Sequence, residues 1–168
     1  MLKRLASVVA ATAIIAGVAC AQGGTPNLDQ GTFYLGGGAR WDSLNGNNAY
    51  AVSANLGYLF TKNIAGEASW SYIDDGVGDW GSTIGVKAKW LFTGTTMDLV
   101  PYVDVGGVYS KVSGGSGSVD DTEIEYGAGL DYFVKPHVSV YLDVQTYKLN
   151  FDTDWTWETT IGLRYWFK

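Results

Sequence analysis

Ten charged side chains recur at alternate positions along the chain, and they are the residues best suited to chemistry. Carboxylates can act as general acids, as general bases or as oxygen ligands for hard metal ions. When carboxylates and cations share a closed space, they instead pair with one another, because an unpaired buried charge is costly. With six acids and four bases, we predict an ion-pair network formed by Arg40, Glu67, Lys87, Lys89, Asp104, Glu125, Asp131, Asp143, Glu158 and Arg164.

Other residues that could carry catalysis or bind a cofactor are scarce. The single histidine, His137, follows Pro136 in a short predicted turn, where a solvated role is the simpler interpretation. The glycine-rich segment 114–117 lacks the Lys and the following helix of a phosphate loop. The acidic residues of the predicted loops have no regular ligand spacing and indicate solvated loops rather than a cation site: Asp74, Asp75, Asp79, Asp120 and Asp121. The sequence therefore predicts no catalytic residue, no cofactor and no metal site, and a protein that is not an enzyme.

The composition excludes several classes of protein. The chain has 168 residues, of which 46% are hydrophobic, so it is long enough for one domain and too apolar to be disordered. Its formal net charge of −6 argues against nucleic acid as a partner, because phosphates require a basic surface. One cysteine cannot form an internal disulfide framework.

The N-terminal residues have the organisation of a secretory signal peptide. Lys3 and Arg4 precede an uncharged, mostly apolar run at 5–19, and small residues follow at Ala19 and Ala21. We predict a signal peptide at 1–21, cleaved after Ala21, and a short periplasmic segment at 22–30. The alternative is a lipoprotein in which Cys20 becomes the acylated first residue. The apolar run is shorter than the ~20 residues that a spanning helix needs.

From residue 31 onward, apolar and polar residues alternate with a period of two between clusters of Gly, Asn and Asp, which predicts strands. We place eight strands at about 31–41, 48–60, 64–73, 80–92, 99–111, 122–134, 138–147 and 156–168. Alternate residues of a strand point to opposite faces, and we call each of these two sets of positions a parity. In the body of each strand one parity carries no charged residue, and the ten charged residues fall on the other parity. A helix, with its period of 3.6, would spread charges over both sets. The sequence thus predicts an all-β protein whose sheet has one apolar and one ionic face.

A sheet of this kind fits either a soluble barrel with its apolar face inside or a membrane barrel with that face against lipid. Aromatic residues such as Trp41, Trp70 and Trp90 lie near strand ends, as in the two girdles of a membrane barrel. We therefore predict an eight-stranded antiparallel up-and-down transmembrane β-barrel at 31–168, with the ten charges in its lumen. Six further aromatic residues share the inward parity and are predicted to fill the lumen: Tyr34, Tyr102, Phe133, Tyr141, Tyr147 and Trp166.

The connections between the predicted strands alternate in character. Those at 61–63, 93–98 and 135–137 are short or modest and are predicted to be periplasmic turns. The remaining connections are longer and more acidic and are predicted to be outer loops: 42–47, 74–79, 112–121 and 148–155. Because the strand number is even, both termini are expected on the periplasmic side.

The signal peptide, the eight amphipathic strands and the terminal Tyr165-Trp166-Phe167 together resemble the small outer-membrane β-barrel family, which includes the OmpA membrane domain, OmpX and the opacity-type proteins. The resemblance implies the outer membrane of a Gram-negative-type bacterium, contact with its lipid, and a monomer. It also implies that the barrel-assembly machinery reads the alternating C-terminal residues Ile161, Leu163, Tyr165 and Phe167. Lys168, after the terminal aromatic residue, departs from the family pattern.

Three functional hypotheses follow. The first is a structural or surface-interaction protein with a plugged lumen that acts through its outer loops, on a partner that the sequence does not identify. The second is a narrow porin-like channel or a carrier of small solutes. The third is a soluble, exported, lipocalin-like binder whose apolar face lines a ligand cavity. The membrane hypotheses also predict that a carboxylate at lipid-facing Val140 is more damaging than one at inward-facing Ser139.

Overall fold

The computed structural model describes residues 26, 28–44, 47–74, 80–94, 98–114, 117–147 and 155–168. They form eight strands: β1 (Phe33–Leu44), β2 (Asn47–Leu59), β3 (Ile64–Asp74), β4 (Trp80–Leu91), β5 (Leu99–Gly114), β6 (Gly117–Lys135), β7 (Val138–Tyr147) and β8 (Thr156–Phe167). Within these ranges no helix is long and apolar enough to span a bilayer. The predicted signal peptide at 1–21, including Cys20, lies outside the described residues.

The sheet closes on itself. Each strand pairs antiparallel with its neighbours in sequence, and β8 pairs with β1. Leu35 of β1, for example, lies opposite Leu56 of β2 on one side and opposite Tyr165 of β8 on the other. Closure matters in hydrocarbon, because it leaves no row of unpaired N–H and C=O groups against lipid. The prediction of an eight-stranded antiparallel up-and-down barrel is confirmed.

The observed strands match the predicted ones to within a few residues, except at two hairpins. The segment 42–47 was expected to be an outer loop, but β1 continues to Leu44 and β2 begins at Asn47. The segment 112–121 was expected to be an outer loop, but β5 continues to Gly114 and β6 begins at Gly117. Val112 pairs with Val119, so the β5–β6 ladder continues to the tip of this hairpin as a paired ribbon. Gly117 has φ = 134°, a conformation that a side chain disfavours. The loop prediction was wrong because Gly, Ser and Asp indicate turns by composition, although here their backbones still pair.

The two faces of the sheet are segregated as the alternation predicts. Apolar side chains such as Leu35, Val86 and Leu163 point away from the barrel axis and are exposed on its outer wall. All six predicted inward aromatic residues are buried, each at most 3% exposed. The apolar face therefore does not line a cavity, which excludes the lipocalin-like hypothesis.

One strand breaks the strict alternation near its end. The pairing of β6 with β7 shifts register between Phe133 and Lys135, which marks a β-bulge. Phe133 and its neighbour Val134 are both buried as a result. A strict period of two along the predicted strand 122–134 places Val134 on the lipid-facing parity, and this is wrong because a bulge leaves no trace in a period-two pattern.

Glycines on the inner wall make room for the interior rings. A side chain at Gly57 would overlap the ring of Tyr34, one at Gly129 the ring of Tyr102, and one at Gly162 the ring of Tyr141. Eight strands enclose a space that side chains can just fill, so a large ring needs an empty position across from it. Each of these three interior rings is thus matched by a glycine on the inner wall.

The segment before β1 closes the end of the barrel where the first strand begins and the last ends. Leu28 is buried there against interior residues. The Gly31 N–H donates to the Leu59 carbonyl at 2.9 Å, and the Leu59 N–H donates to the Thr32 carbonyl at 2.9 Å. Gly31 has φ = 87°, in the left-handed region that favours glycine. This turn folds the chain inward across the barrel mouth.

Candidate functional site: the charged lumen

All ten charged residues singled out in the sequence lie inside the barrel, and none is more than 7% exposed. Every strand except β2 contributes at least one of them, because each of these seven strands carries its charge on the inward parity. They form two groups along the axis. The Arg164 cluster lies nearer the termini and contains Arg164, Lys87, Lys89, Glu67, Asp104, Glu125, Asp131 and Asp143. The Arg40 cluster lies nearer the opposite end and contains Arg40, Asp42 and Glu158.

Arg164 holds the first cluster together. Its Nη1 donates to Asp131 Oδ2 at 2.7 Å, and its Nη2 donates to Glu67 Oε2 at 3.3 Å. The guanidinium carbon lies 3.8 Å from the centre of the Tyr141 ring, a cation–π contact. The Tyr102 hydroxyl accepts a further bond from Nη1 at 3.2 Å. Arg164 is therefore paired, hydrogen-bonded and stacked, as a buried cation must be to offset its desolvation.

The two lysines of β4 share the surrounding carboxylates. Lys89 Nζ lies 2.9 Å from Glu67 Oε2, and Lys87 Nζ lies 3.5 Å from Glu125 Oε1. Both also lie within 4.0 Å of Asp143 Oδ2. Their spacing of two residues places both on the inner wall, so one strand supplies two adjacent positive charges. The carboxylates of β3, β6 and β7 converge on them.

The second cluster contains a residue that the sequence analysis missed. Arg40 Nε donates to Asp42 Oδ1 at 2.5 Å, and a terminal nitrogen of Arg40 donates to Glu158. Arg40 Nη1 also donates to Ser71 Oγ at 2.6 Å. Asp42 was assigned to an outer loop because Ser and Asn follow it. Its parity was the available signal, since residues two apart on a strand face the same side.

Apolar and aromatic side chains fill the end of the lumen nearest the termini. Trp166 lies with its ring centre 4.5 Å from that of Tyr34 and 5.3 Å from that of Phe133. Its indole N–H donates to Ser139 Oγ at 2.8 Å, and Ser139 donates to Asp131 at 2.7 Å. We call this group the aromatic plug; its members are Leu28, Tyr34, Leu59, Ala65, Leu91, Val100, Tyr102, Phe133 and Trp166.

A polar cavity of about 40 Å³ separates the two charged clusters. Its wall includes Arg40 and Glu158 from one cluster and Lys87, Glu125 and Asp143 from the other. A buried water needs about 10–15 Å³ measured in this way, so the cavity has room for about three. Side chains leave this part of the described interior open.

The remaining candidate residues lie on the outer wall or in turns. His137 is exposed in the turn between β6 and β7, with its ring centre 6.4 Å from that of Tyr165. Leu163, Tyr165 and Phe167 point outward from β8, and Ile161 is partly exposed on the same face. Within the described ranges, no three His, Cys, Asp or Glu side chains are arranged to hold a metal ion.

A closed barrel with an apolar outer wall, aromatic residues at its rims and an ion-paired interior has the architecture of a transmembrane β-barrel of the outer-membrane type. The match to a family model agrees with this class. The chain belongs to the outer membrane protein beta-barrel domain family, whose model matches residues 7–167. It is therefore an outer-membrane protein in contact with lipid, and the resemblance stated from the sequence is confirmed.

Solved structures support the same fold. The N-terminal β-barrel domain of Pseudomonas aeruginosa OprF is 18% identical, with a TM-score of 0.71 over 82% of this chain and 98% of that one. Neisserial surface protein A is 19% identical, with a TM-score of 0.63 over 81% and 99%. Ail of Yersinia pestis, the attachment invasion locus protein, is 18% identical, with a TM-score of 0.59 over 82% and 99%. At these identities the likeness shows the fold alone. A comparison with curated proteins gave no match.

Proposed function

We propose that this protein is a structural or surface-interaction barrel whose lumen does not conduct ions. The aromatic plug is the observation that carries the proposal. Tyr34, Phe133 and Trp166 are each at most 1% exposed, and the ion-paired Arg164 cluster lies directly above them. An ion crossing this end would have to displace packed rings and then break buried ion pairs.

Planar-bilayer recording of the purified protein tests the proposal. The wild-type barrel is expected to give no discrete conductance steps. Trp166→Ala removes the centre of the plug and is expected to produce steps, whereas Phe167→Ala, an outward ring on the next residue, is not. Steps from the wild-type barrel would favour the alternative hypothesis of a narrow channel or small-solute carrier.

We further propose that the outer end binds cationic surfaces. The name of Ail refers to attachment, and one Ail structure contains a heparin analogue, sucrose octasulfate, which is a polyanion. The loops and the ribbon of this chain are acidic, with Asp74, Asp75, Asp79 and Asp120 in sequence. Such a surface repels a polyanion and attracts a cation. Cells that display the protein should therefore retain a polylysine probe and not heparin, and changing these four residues to Asn should abolish that retention.

We propose that Ile161, Leu163, Tyr165 and Phe167 form the signal read by the barrel-assembly machinery, and that the barrel is a monomer. The lumen carboxylates act in this proposal as ion-pair partners and not as catalysts. Phe167→Ala is expected to lower the amount of folded barrel in cells severalfold while leaving refolding from urea into detergent largely intact. An equal loss of folded barrel in both assays would indicate a stability defect instead of a lost assembly signal.

Light scattering of the purified barrel in detergent tests the proposed oligomeric state, and the molar mass of one chain is expected.

A further inference from the structure

The described interior holds more negative than positive charge. Seven buried carboxylates face four buried cations, which leaves a formal charge of −3. The carboxylates are Asp42, Glu67, Asp104, Glu125, Asp131, Asp143 and Glu158, and the cations are Arg40, Lys87, Lys89 and Arg164. Excess charge in a closed, low-dielectric space is costly unless something neutralises it.

The polar cavity between the two clusters carries two oxygen atoms that accept no hydrogen bond from the described residues. Gln145 is 4% exposed, and its Nε2 donates to Asp143 at 2.7 Å and to Asp104 at 3.2 Å. These bonds fix the amide nitrogen on the carboxylates, and the amide oxygen of Gln145 is left without a donor. Glu125 Oε1 likewise accepts no hydrogen bond, and its nearest cation is Lys87 at 3.5 Å. Both residues line the cavity.

These oxygens define the class of ligand. Both residues line one cavity, and a carboxylate oxygen and an amide oxygen are each suitable ligands for a hard cation. Divalent and transition metals usually take more carboxylate, His or Cys ligands, and the described residues offer no group of three. The cavity of about 40 Å³ accommodates an ion with one or two waters and excludes an organic cation of the size of choline. The aromatic plug closes one end, so entry is from the opposite, outer end.

We infer that this cavity binds one monovalent metal cation, Na⁺ or K⁺, between Glu125 and Gln145. The ion supplies a positive charge that the described interior lacks, and it satisfies two buried oxygens that accept no hydrogen bond from the described residues. This site does not depend on whether the barrel conducts, because the ion enters and leaves at the same end.

Salt-specific stabilisation tests the inference. A ligand that binds only the folded state raises the unfolding midpoint, and the midpoint keeps rising with the logarithm of the ligand concentration once that concentration exceeds the dissociation constant. Urea midpoints of the wild-type barrel in neutral detergent are measured in NaCl, KCl and choline chloride at the same total chloride. The midpoint is expected to rise with Na⁺ or K⁺ relative to choline. Glu125→Gln is expected to abolish this difference, and Asp120→Asn, an exposed carboxylate on the same strand, is expected to keep it.

A second measurement covers the case in which Glu125→Gln does not fold. The ²³Na resonance of a solution of the wild-type barrel is expected to broaden beyond the value in detergent alone and to narrow again when K⁺ is added. Identical midpoints in all three salts, equal loss of the effect in Asp120→Asn, or a ²³Na line that K⁺ does not change would each overturn the inference. Those results would mean that water or protons alone satisfy the cavity.

Discussion

Replacing Arg164 by Met should destabilise the barrel more than any change of an exposed charge. Without Arg164, Glu67 keeps Lys89 at 2.9 Å and the Tyr34 hydroxyl at 2.7 Å. Asp131 keeps only the Ser139 hydroxyl among its described partners, so the loss is concentrated on this one carboxylate. Removing one member of a buried ion pair costs about 3–5 kcal/mol. We expect Arg164→Met to lower the free energy of unfolding by that amount.

Urea unfolding in detergent, followed by tryptophan fluorescence, measures this loss, and a double-mutant cycle assigns it. Asp131→Asn removes the stranded charge, so the double variant should recover part of the loss, with a coupling of about 1–3 kcal/mol. Lys111→Met is the matched control: this exposed lysine should change stability by less than about 0.5 kcal/mol. If Arg164→Met lowers the free energy of unfolding no more than Lys111→Met does, or if the coupling between Arg164 and Asp131 is zero, this ion pair does not stabilise the interior.

Three further substitutions probe the two faces by the same urea assay. Leu163→Arg places a cation on the lipid face and should cost about 2–4 kcal/mol, whereas Leu163→Phe should be tolerated; equal effects would argue against lipid contact. Ser139→Asp should destabilise the barrel as much as Leu163→Arg does, although the sequence analysis expected a milder effect. Ser139 is fully buried and donates a hydrogen bond to Asp131, so the new carboxylate would lie against an existing one. An unchanged free energy of unfolding would contradict this contact. Gly57→Val should lower the free energy of unfolding by about 1–3 kcal/mol, because the new side chain overlaps the Tyr34 ring. In the Tyr34→Ala background the same change should cost less, since the ring is gone. An equal cost in both backgrounds would show that Gly57 does not make room for Tyr34.

The alternation of the sequence was sufficient to predict the eight strands and, within the body of each strand, the side to which its residues point. With a period of two, the only choice left for each strand is which parity faces lipid, and the parity without charged residues identifies it. Arg40 and Glu158 show the limit of this reasoning, since both were assigned to the lumen but their pairing could not be read. Which residues meet across a barrel depends on the stagger of its strands, and no local pattern encodes that stagger.

The errors of the sequence analysis lie at strand ends, where composition and geometry disagree. Asp42 sits beside Ser and Asn, so it resembled a loop residue although it completes the Arg40 cluster. The segment 112–121 is rich in Gly, Ser and Asp, yet most of it is paired ribbon. Val134 is buried beside a bulge that shifts the alternation by one residue. In each case a backbone feature with no compositional signal decided the outcome.

The matched rings and glycines of the inner wall constrain how this chain can diverge during evolution. On the outer wall, lipid requires only that a side chain be apolar, so Leu, Val and Ile can replace one another by single steps. Inside, a larger residue at Gly57 clashes unless Tyr34 shrinks first, because the nearest atoms that it would meet all belong to that side chain. At Gly129 and Gly162 a side chain would also meet the backbone carbonyl oxygens of Leu142 and Gly37, so a smaller facing ring does not open either position. Homologues should therefore drift freely on the outside, keep glycine at these two positions and change Gly57 and Tyr34 together, which makes co-variation of this one couple the expected signature of common descent.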